Sequence, residues 1–380
     1  WVDIEPVQLA ETLAEVGDQH GDAATNLLEK AQLAGDVPGG RYEVVIDPLI
    51  DGMTGQQSVD TKAMGARIVK LIRESYPAKY AVQPFNTSAV QKGPLLLVGT
   101  FTGVNAERKT EGQREAFRIC LALADLKTGK LVSKGLAFAK PDGVDIAPLP
   151  AFRDAPAWSD DAATSGYIRT CQGTRAGDSI NPMYVNRIVT SATIAEAADA
   201  YSEGKYTNAL KLYQAAAKSP GGDQLRTYTG LYLTSWRLGR QTDAAKAFGQ
   251  IVDQGLESKK LGVKFLFKPS TATLWSDPKA GPPAPYAMWL REIAARAVTR
   301  KDTCLGVVGH TSATGSEPAN EKLSLQRAEV IGKEIVRAAR ALDKKVIPNG
   351  VGSKQTLIGN GRDDHTDALD RRVEFRVVGC

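Results

Sequence analysis

Apolar and polar positions divide the chain into stretches of different period. Over residues 7–33 the apolar positions recur at helical spacing, Gly35 ends them, and Pro38-Gly39-Gly40 breaks the chain. Residues 42–50 form an apolar run of strand character. Residues 61–75 return to helical spacing through Met64, Ile68, Leu71 and Ile72, and residues 80–84 and 95–102 read as strands. Phe117, Ile119, Leu121 and Leu123 then alternate before Asp125-Leu126-Lys127-Thr128-Gly129-Lys130, and residues 131–139 lead back. This predicts a β-hairpin with Gly129 where a positive φ costs little.

Residues 140–190 are rich in Pro, Asp and Ser, yet hold Trp158, Tyr167 and Cys171. Aromatics and a cysteine are unusual in a slack linker, so an ordered but irregular connector is expected. Residues 192–256 are helical throughout and repeat. Gly204, Ala209, Tyr213 and Ala216 recur as Gly239, Ala244, Phe248 and Ile251, each 35 residues on. Small residues at helix contacts with an aromatic four positions later resemble tetratricopeptide (TPR) repeats. A plain helical-hairpin spacer is the alternative, and two repeats need neighbours to cap them. After residue 261 the elements alternate again: strand 262–267, helix 284–298, strand 304–310, helix 320–342, strand 345–347 and strand 371–378. The order β-α-β-α-β-β predicts a two-layer α/β domain with helices on one face. The fold class is thus multidomain, α/β and α, with parts at 1–165, 166–190 (connector), 191–258 and 259–380.

With 380 residues, 42% of them hydrophobic and 24% charged, composition excludes wholesale disorder, a collagen-like fibre and a polytopic membrane protein. No apolar run approaches the ~20 residues that cross a bilayer. The chain opens on Trp1 without a signal-peptide pattern, so an exported precursor or a trimmed form is open. The net charge of +5 is too mild to argue for nucleic acid. Residues 261–380 carry 19 Lys and Arg against 13 Asp and Glu, a net of +6, which leaves about −1 for the rest. Such a basic third suits a polyanionic partner or is a solvated surface. Four scattered cysteines, Cys120, Cys171, Cys304 and Cys380, have no zinc spacing, and their even number is compatible with two disulfides.

Catalytic patterns are missing: there is no GxSxG elbow, HExxH or Walker loop, and no cofactor is called for. Gly52-Met53-Thr54-Gly55 and Gly359-Asn360-Gly361 lack the strand–helix grammar of a phosphate cradle and are expected to be turns. His310 reads as a hydrogen-bonded structural histidine, and His20 and His365 as lone surface ones. Asp363, Asp364, Asp367 and Asp370 beside Arg362, Arg371 and Arg372 read as a salt-bridged loop rather than a metal site. One constellation stands out. Gly309-His310-Thr311-Ser312-Ala313-Thr314-Gly315 ends a strand in a polar loop, Ser316 is placed to cap a helix, and Pro318 lies in its first turn. Asn320, Ser324 and Arg327 follow at i, i+4 and i+7, on one helix face beside that loop. Such a pocket offers donors and one fixed cation, and Arg is suited to bidentate capture of a carboxylate. The alternative is that Arg327 pairs internally with an acid such as Asp370.

The blocks Val307-Val308-Gly309-His310-Thr311, Asn320…Leu323-Ser324…Arg327-Ala328 and Arg371-Arg372-Val373-Glu374-Phe375 resemble the OmpA C-terminal (OmpA/MotB-like) domain. Phe267…Ala272…Leu274 resembles that family's first strand and turn, so the likeness covers residues 261–380. It implies a periplasmic, non-enzymatic module that grips the diaminopimelate stem peptide of peptidoglycan. Thr311, Ser312, Asn320, Leu323, Arg327 and Arg371 would be the ligand-binding residues, with Arg327 on the ligand's carboxylate. The sequence departs from the pattern where the family has acids, with Ser312 after His-Thr and Lys268 after Phe267, and Asp370 replaces the usual Asn. The contacts to the ligand's ammonium are therefore those in question, unless an acid among residues 363–370 supplies them. In this fold the last strand runs antiparallel beside the second, which implies a Cys304–Cys380 disulfide and leaves Cys120–Cys171 as the second pair. Gly93-Pro94-Leu95-Leu96-Leu97-Val98-Gly99-Thr100-Phe101 with the 121–132 hairpin resembles the curli-secretion and flagellar-lipoprotein (CsgG/FlgO/LpoB-like) envelope fold. Together these imply a periplasmic scaffold that anchors to peptidoglycan and binds envelope proteins through its N-terminal and TPR-like parts. The outer membrane would be reached only through a lipid anchor absent from this sequence. The other reading is a regulator or structural component of a secretion or assembly machine, with altered or lost peptidoglycan binding.

Overall fold

The computed structural model describes residues 23–33, 35, 40–110, 114–159, 161–268, 270–275, 285–300, 303–358 and 370–380. The expectations for residues 7–22, Pro38-Gly39, His20, Gly359-Asn360-Gly361, His365 and Asp363, Asp364 and Asp367 fall outside them.

The first sheet begins after helix α1 (Ala23–Glu29) with β1 (Tyr42–Ile46) and β2 (Ile50–Asp51). The single strand expected over 42–50 divides because Pro48 has no N–H to give a ladder. Helix α2 (Val59–Ser75) starts on a capping box, in which Ser58 and Thr61 exchange side-chain and backbone hydrogen bonds. Next come β3 (Tyr80–Val82), α3 (Thr87–Gln91), β4 (Leu95–Val104), β5 (Ala116–Asp125) and β6 (Lys130–Ala139). The sheet order is β3-β1-β4-β5-β6, with β2 also beside β4. Strand β1 pairs in parallel with β3 and β4, β2 pairs in parallel with β4, and β4-β5-β6 is antiparallel. The expected hairpin is β5–β6: Gly129 has φ +68° and the Asp125 carboxylate accepts the Lys127 N–H at 2.8 Å.

All ten residues of β4 are buried, because both faces of the sheet are covered. Leu95 and Leu97 pack with Met64, Ile68 and Leu27 on one side, and Leu96 and Val98 with Tyr167, Tyr184 and Ile188 on the other. The second side is built largely from the stretch read as an irregular connector. It contains α4 (Pro150–Arg153), β7 (Ala157–Ser159), α5 (Ala162–Cys171) and α6 (Pro182–Val185). Helix α5 was hidden by its small polar residues (AATSGYIRTC), and Asp161 caps it by accepting the Thr164 N–H at 2.9 Å. The Cys120–Cys171 disulfide ties α5 to β5, with the Cα atoms 6.1 Å apart.

Four helices follow, α7 (Ile188–Ser202), α8 (Tyr206–Lys218), α9 (Leu225–Arg237) and α10 (Gln241–Glu257). They form two hairpins whose turns are built alike. Gly204 and Gly239 both take left-handed φ, +76° and +71°, and the next N–H returns to the carbonyl of Ala200 or Ser235. The repeated Ala209, Tyr213, Ala216 and Ala244, Phe248, Ile251 are all buried. Gly230 lies where any side chain would strike the Tyr213 ring, so the neighbouring helices approach closely there.

The second sheet takes β8 (Lys260–Val263), then α11 (Tyr286–Val298), β9 (Thr303–Gly309), α12 (Glu317–Ala338), a 3-10 turn (Arg340–Leu342), β10 (Val346–Gly350) and β11 (Val373–Gly379). The sequence order is the expected β-α-β-α-β-β. The sheet order is β10-β9-β11-β8-β7, so β7 adds a fifth strand from about 100 residues upstream. Strand β11 runs antiparallel to β9 with Val378 opposite Cys304, and the Cys304–Cys380 disulfide closes that end with Cα atoms 5.0 Å apart. Leu305, Val307, Val373 and Phe375 face helices α11 and α12 in one continuous apolar core that also includes the four-helix stretch. Trp289 of α11 stacks on Phe248 at 5.5 Å and donates its indole N–H to the Tyr232 hydroxyl at 3.0 Å.

Among the described residues no helix is long and apolar enough to cross a membrane. None of their His, Cys, Asp and Glu side chains group in threes that could hold a metal.

Candidate functional site

The polar residues singled out at the end of β9 converge. Helix α12 lies against the strand ends because two glycines let it: a Cβ on Gly309 would strike the Ser324 backbone, and one on Gly350 the backbone N of Leu325. The helix therefore presents Asn320, Ser324 and Arg327 to the loop His310-Thr311-Ser312, and all six are buried. Asn320 Nδ2 donates to the Thr314 carbonyl at 3.0 Å. Ser324 Oγ accepts the Gly352 N–H at 3.0 Å and donates to the Glu321 carbonyl at 2.8 Å. The Gly352 carbonyl in turn accepts the Thr311 N–H at 3.0 Å. The Thr311 hydroxyl is buried with no hydrogen-bond partner among the described residues.

Arg327 lies beneath the turn that follows β8. Phe267 and Leu274 pair across this turn, the Thr271 carbonyl accepts the Arg327 Nε–H at 3.1 Å, and the guanidinium sits 4.8 Å from the centre of the Phe267 ring. Ring stacking and one fixed hydrogen bond hold the planar cation in orientation. Asp370, the acid considered as an internal partner for Arg327, is fully buried and its carboxylate accepts the backbone N–H groups of Leu357 and Ile358. Leu323 shares the α12 stripe and is half-buried, and Arg371 is half-buried just before β11.

On the other face of the sheet lies a charge network that motif reading passed over. Arg372, just before β11, and Glu374 and Arg376 within it alternate and so share a face. Arg372 donates to Glu374 Oε1 from Nε (2.8 Å) and Nη2 (2.6 Å). Arg376 donates to Oε2 from Nη2 (2.7 Å) and Nε (3.1 Å). Glu374 has no exposed surface. Burial alone would raise its pKa, but His310 and Arg372 beside it outweigh that and hold the carboxyl well below its usual range. The His310 Nε2 lies 3.5 Å from Glu374 Oε2, at the outer limit of a hydrogen bond, and among the described residues neither ring nitrogen has a closer partner. Burial pushes its pKa down to about 4, so the ring is neutral at pH 7. The Arg-x-Glu-x-Arg alternation was the signal for this network.

Residues 266–368 match the model of the OmpA family. No curated protein matches the chain. Among solved structures, the chain is similar to an outer membrane protein from Borrelia burgdorferi B31, at 23% identity and TM-score 0.24 over 32% of this chain and 88% of that one. It is also similar to the periplasmic domain of Helicobacter pylori MotB, at 14% identity and TM-score 0.26, over 32% and 73%. A third similarity is to the peptidoglycan-associated lipoprotein from Burkholderia pseudomallei, at 18% identity and TM-score 0.25, over 30% and 88%.

Proposed function

We propose that this chain is a non-enzymatic envelope scaffold of the periplasm, anchored to peptidoglycan through its OmpA family domain. The observation that carries the reading is Arg327, a buried guanidinium oriented by Phe267 and Thr271 beside Asn320, Ser312 and the unpartnered Thr311 hydroxyl. That set suits the carboxylate of a diaminopimelate stem peptide, with Leu323 and Arg371 at its margin. The N-terminal α/β part (1–165) and the TPR-like hairpins (191–258) would bind envelope proteins, and the connector (166–190) would join them. Outer-membrane attachment would come from a lipid anchor. The test is co-sedimentation of the purified, oxidised protein with isolated sacculi. Wild type is expected to pellet, and Arg327→Ala to bind roughly tenfold less or weaker, the cost of one charged hydrogen-bonding group. Wild type remaining in the supernatant would sink the proposal.

A second reading has its own support. Ser312 and Lys268 stand where the family has acids, which favours a regulator or structural component of a secretion or assembly machine with altered or lost wall binding. Size-exclusion chromatography with light scattering separates the two: a discrete ring or higher oligomer supports the machine, a monomer the tether.

A further inference from the structure

A cavity of about 100 Å³ lies between the first sheet's loops, helix α5 and the four-helix stretch, and no residue of the Arg327 site lines it. Phe152, Ile168, Ile194 and Leu233 give it apolar walls, and its charged lining residues are Asp47, Asp161 and Arg226. Asp161 is engaged at the start of α5, where one carboxylate oxygen accepts the Thr164 N–H and hydroxyl, each at 2.9 Å. Asp47 is almost wholly buried, where one carboxylate oxygen accepts the Tyr184 hydroxyl. Arg226 has one fixed donor, Nη2 to the Gly55 carbonyl at 2.7 Å, and its guanidinium lies 5.8 Å from the Phe152 ring centre. Gly55 can offer that carbonyl because its φ is +70°, where a side chain would also strike Thr164. Among the described residues Arg226 forms no ion pair. Its charge draws the Asp47 pKa down, yet burial still prevails and leaves it raised to about 6. A buried carboxylate and a guanidinium thus face one small cavity of mixed apolar and polar lining without forming an ion pair, and both stand to gain from a ligand that pairs with each.

We propose that this cavity binds a free α-amino acid with a small apolar side chain, its carboxylate on Arg226, its ammonium on Asp47 and its side chain against the apolar walls. The site is independent of the peptidoglycan reading, since no residue is shared with it. The test is calorimetric titration of the whole oxidised chain with L- and D-valine, N-acetylvaline and valinamide. Valine of at least one hand should bind saturably at one site per chain. N-Acetylvaline lacks the ammonium and valinamide the carboxylate, so each should bind at least about tenfold more weakly. Arg226→Gln, Asp47→Asn and the cavity-filling Thr229→Trp should each lower valine affinity by a similar or larger factor, with folding checked by circular dichroism. If a variant fails to fold, the analogue series on wild type decides. No saturable valine binding, or either analogue binding as tightly as valine, would overturn the assignment.

Discussion

Asp47 beside the first sheet and Glu374 in the second are both buried carboxylates, and their pKa values move in opposite directions. Asp47 has one strong partner, the Tyr184 hydroxyl, and its nearest cation makes no ion pair with it, so desolvation prevails. Glu374 is likewise buried, but His310 lies beside it and four charge-assisted bonds from Arg372 and Arg376 surround it, so desolvation loses. Burial therefore does not decide a carboxylate's charge state; the number of donors fixed around it does. Glu374 is a completed structural network, whereas Asp47 faces a cavity with capacity to spare.

The sharpest way to break this contrast is to remove the carboxylate charge from each site. In Glu374→Gln the Arg372 guanidinium, only 2% exposed, keeps its burial and loses the carboxylate charge that accepts from its Nε and Nη2. Unpairing a buried ion pair costs about 3–5 kcal/mol, to be read from urea denaturation. Asp47→Asn retains an acceptor for Tyr184 and strands no paired cation, so it should cost far less at pH 7. Equal losses from the two variants would refute the distinction.

The disulfides sharpen the comparison from another side, because each region has one of similar reach. They close sequence separations of 51 and 76 residues, and a chain-entropy estimate puts the difference between them below about half a kcal/mol. Cys120→Ser/Cys171→Ser and Cys304→Ser/Cys380→Ser should each lose about 2–4 kcal/mol in the same denaturation experiment. A gap of more than about 2 kcal/mol between them would mean that packing around one bridge, not loop closure, sets its worth.

How much of this was legible varied with the range of the contact. The β5–β6 hairpin was readable because alternation and a Gly turn are both local. The Cys304–Cys380 pairing followed once the likeness placed the last strand beside the second, and the structure pairs Val378 with Cys304. Strand β7 was not readable: three residues carry too little period, and their partner β8 lies about 100 residues on. Helix α5 was obscured by the small and polar residues that let it pack closely, as at Gly166, where a Cβ would strike the Tyr184 backbone. For the candidate site, the Asn320–Ser324–Arg327 face was visible as helical spacing. The turn over Arg327 was not, because Thr271 contributes a carbonyl, which every residue type has. Neither could the sequence foretell Asp47 and Arg226, 179 positions apart, meeting at one cavity.

The gentlest probe of the contrast is pH. His310, beside Glu374, falls from 6.5 to about 4 on folding, so its contribution is full above pH 6.5 and is lost as pH falls toward 4. Asp47 rises from 3.8 to about 6, so its contribution is full below pH 3.8 and is lost as pH rises through 6. Between about pH 5 and 6 the two slopes oppose each other, each near 1.4 kcal/mol per pH unit at most. Relative to wild type, Asp47→Asn should tilt stability upward with pH across that window, and His310→Gln should tilt it downward. Urea midpoints measured along the window for the three proteins check both signs. A shared sign would mean that the two buried groups do not differ in the way their surroundings imply, because only a site lacking enough donors can make protonation of an acid favourable to folding.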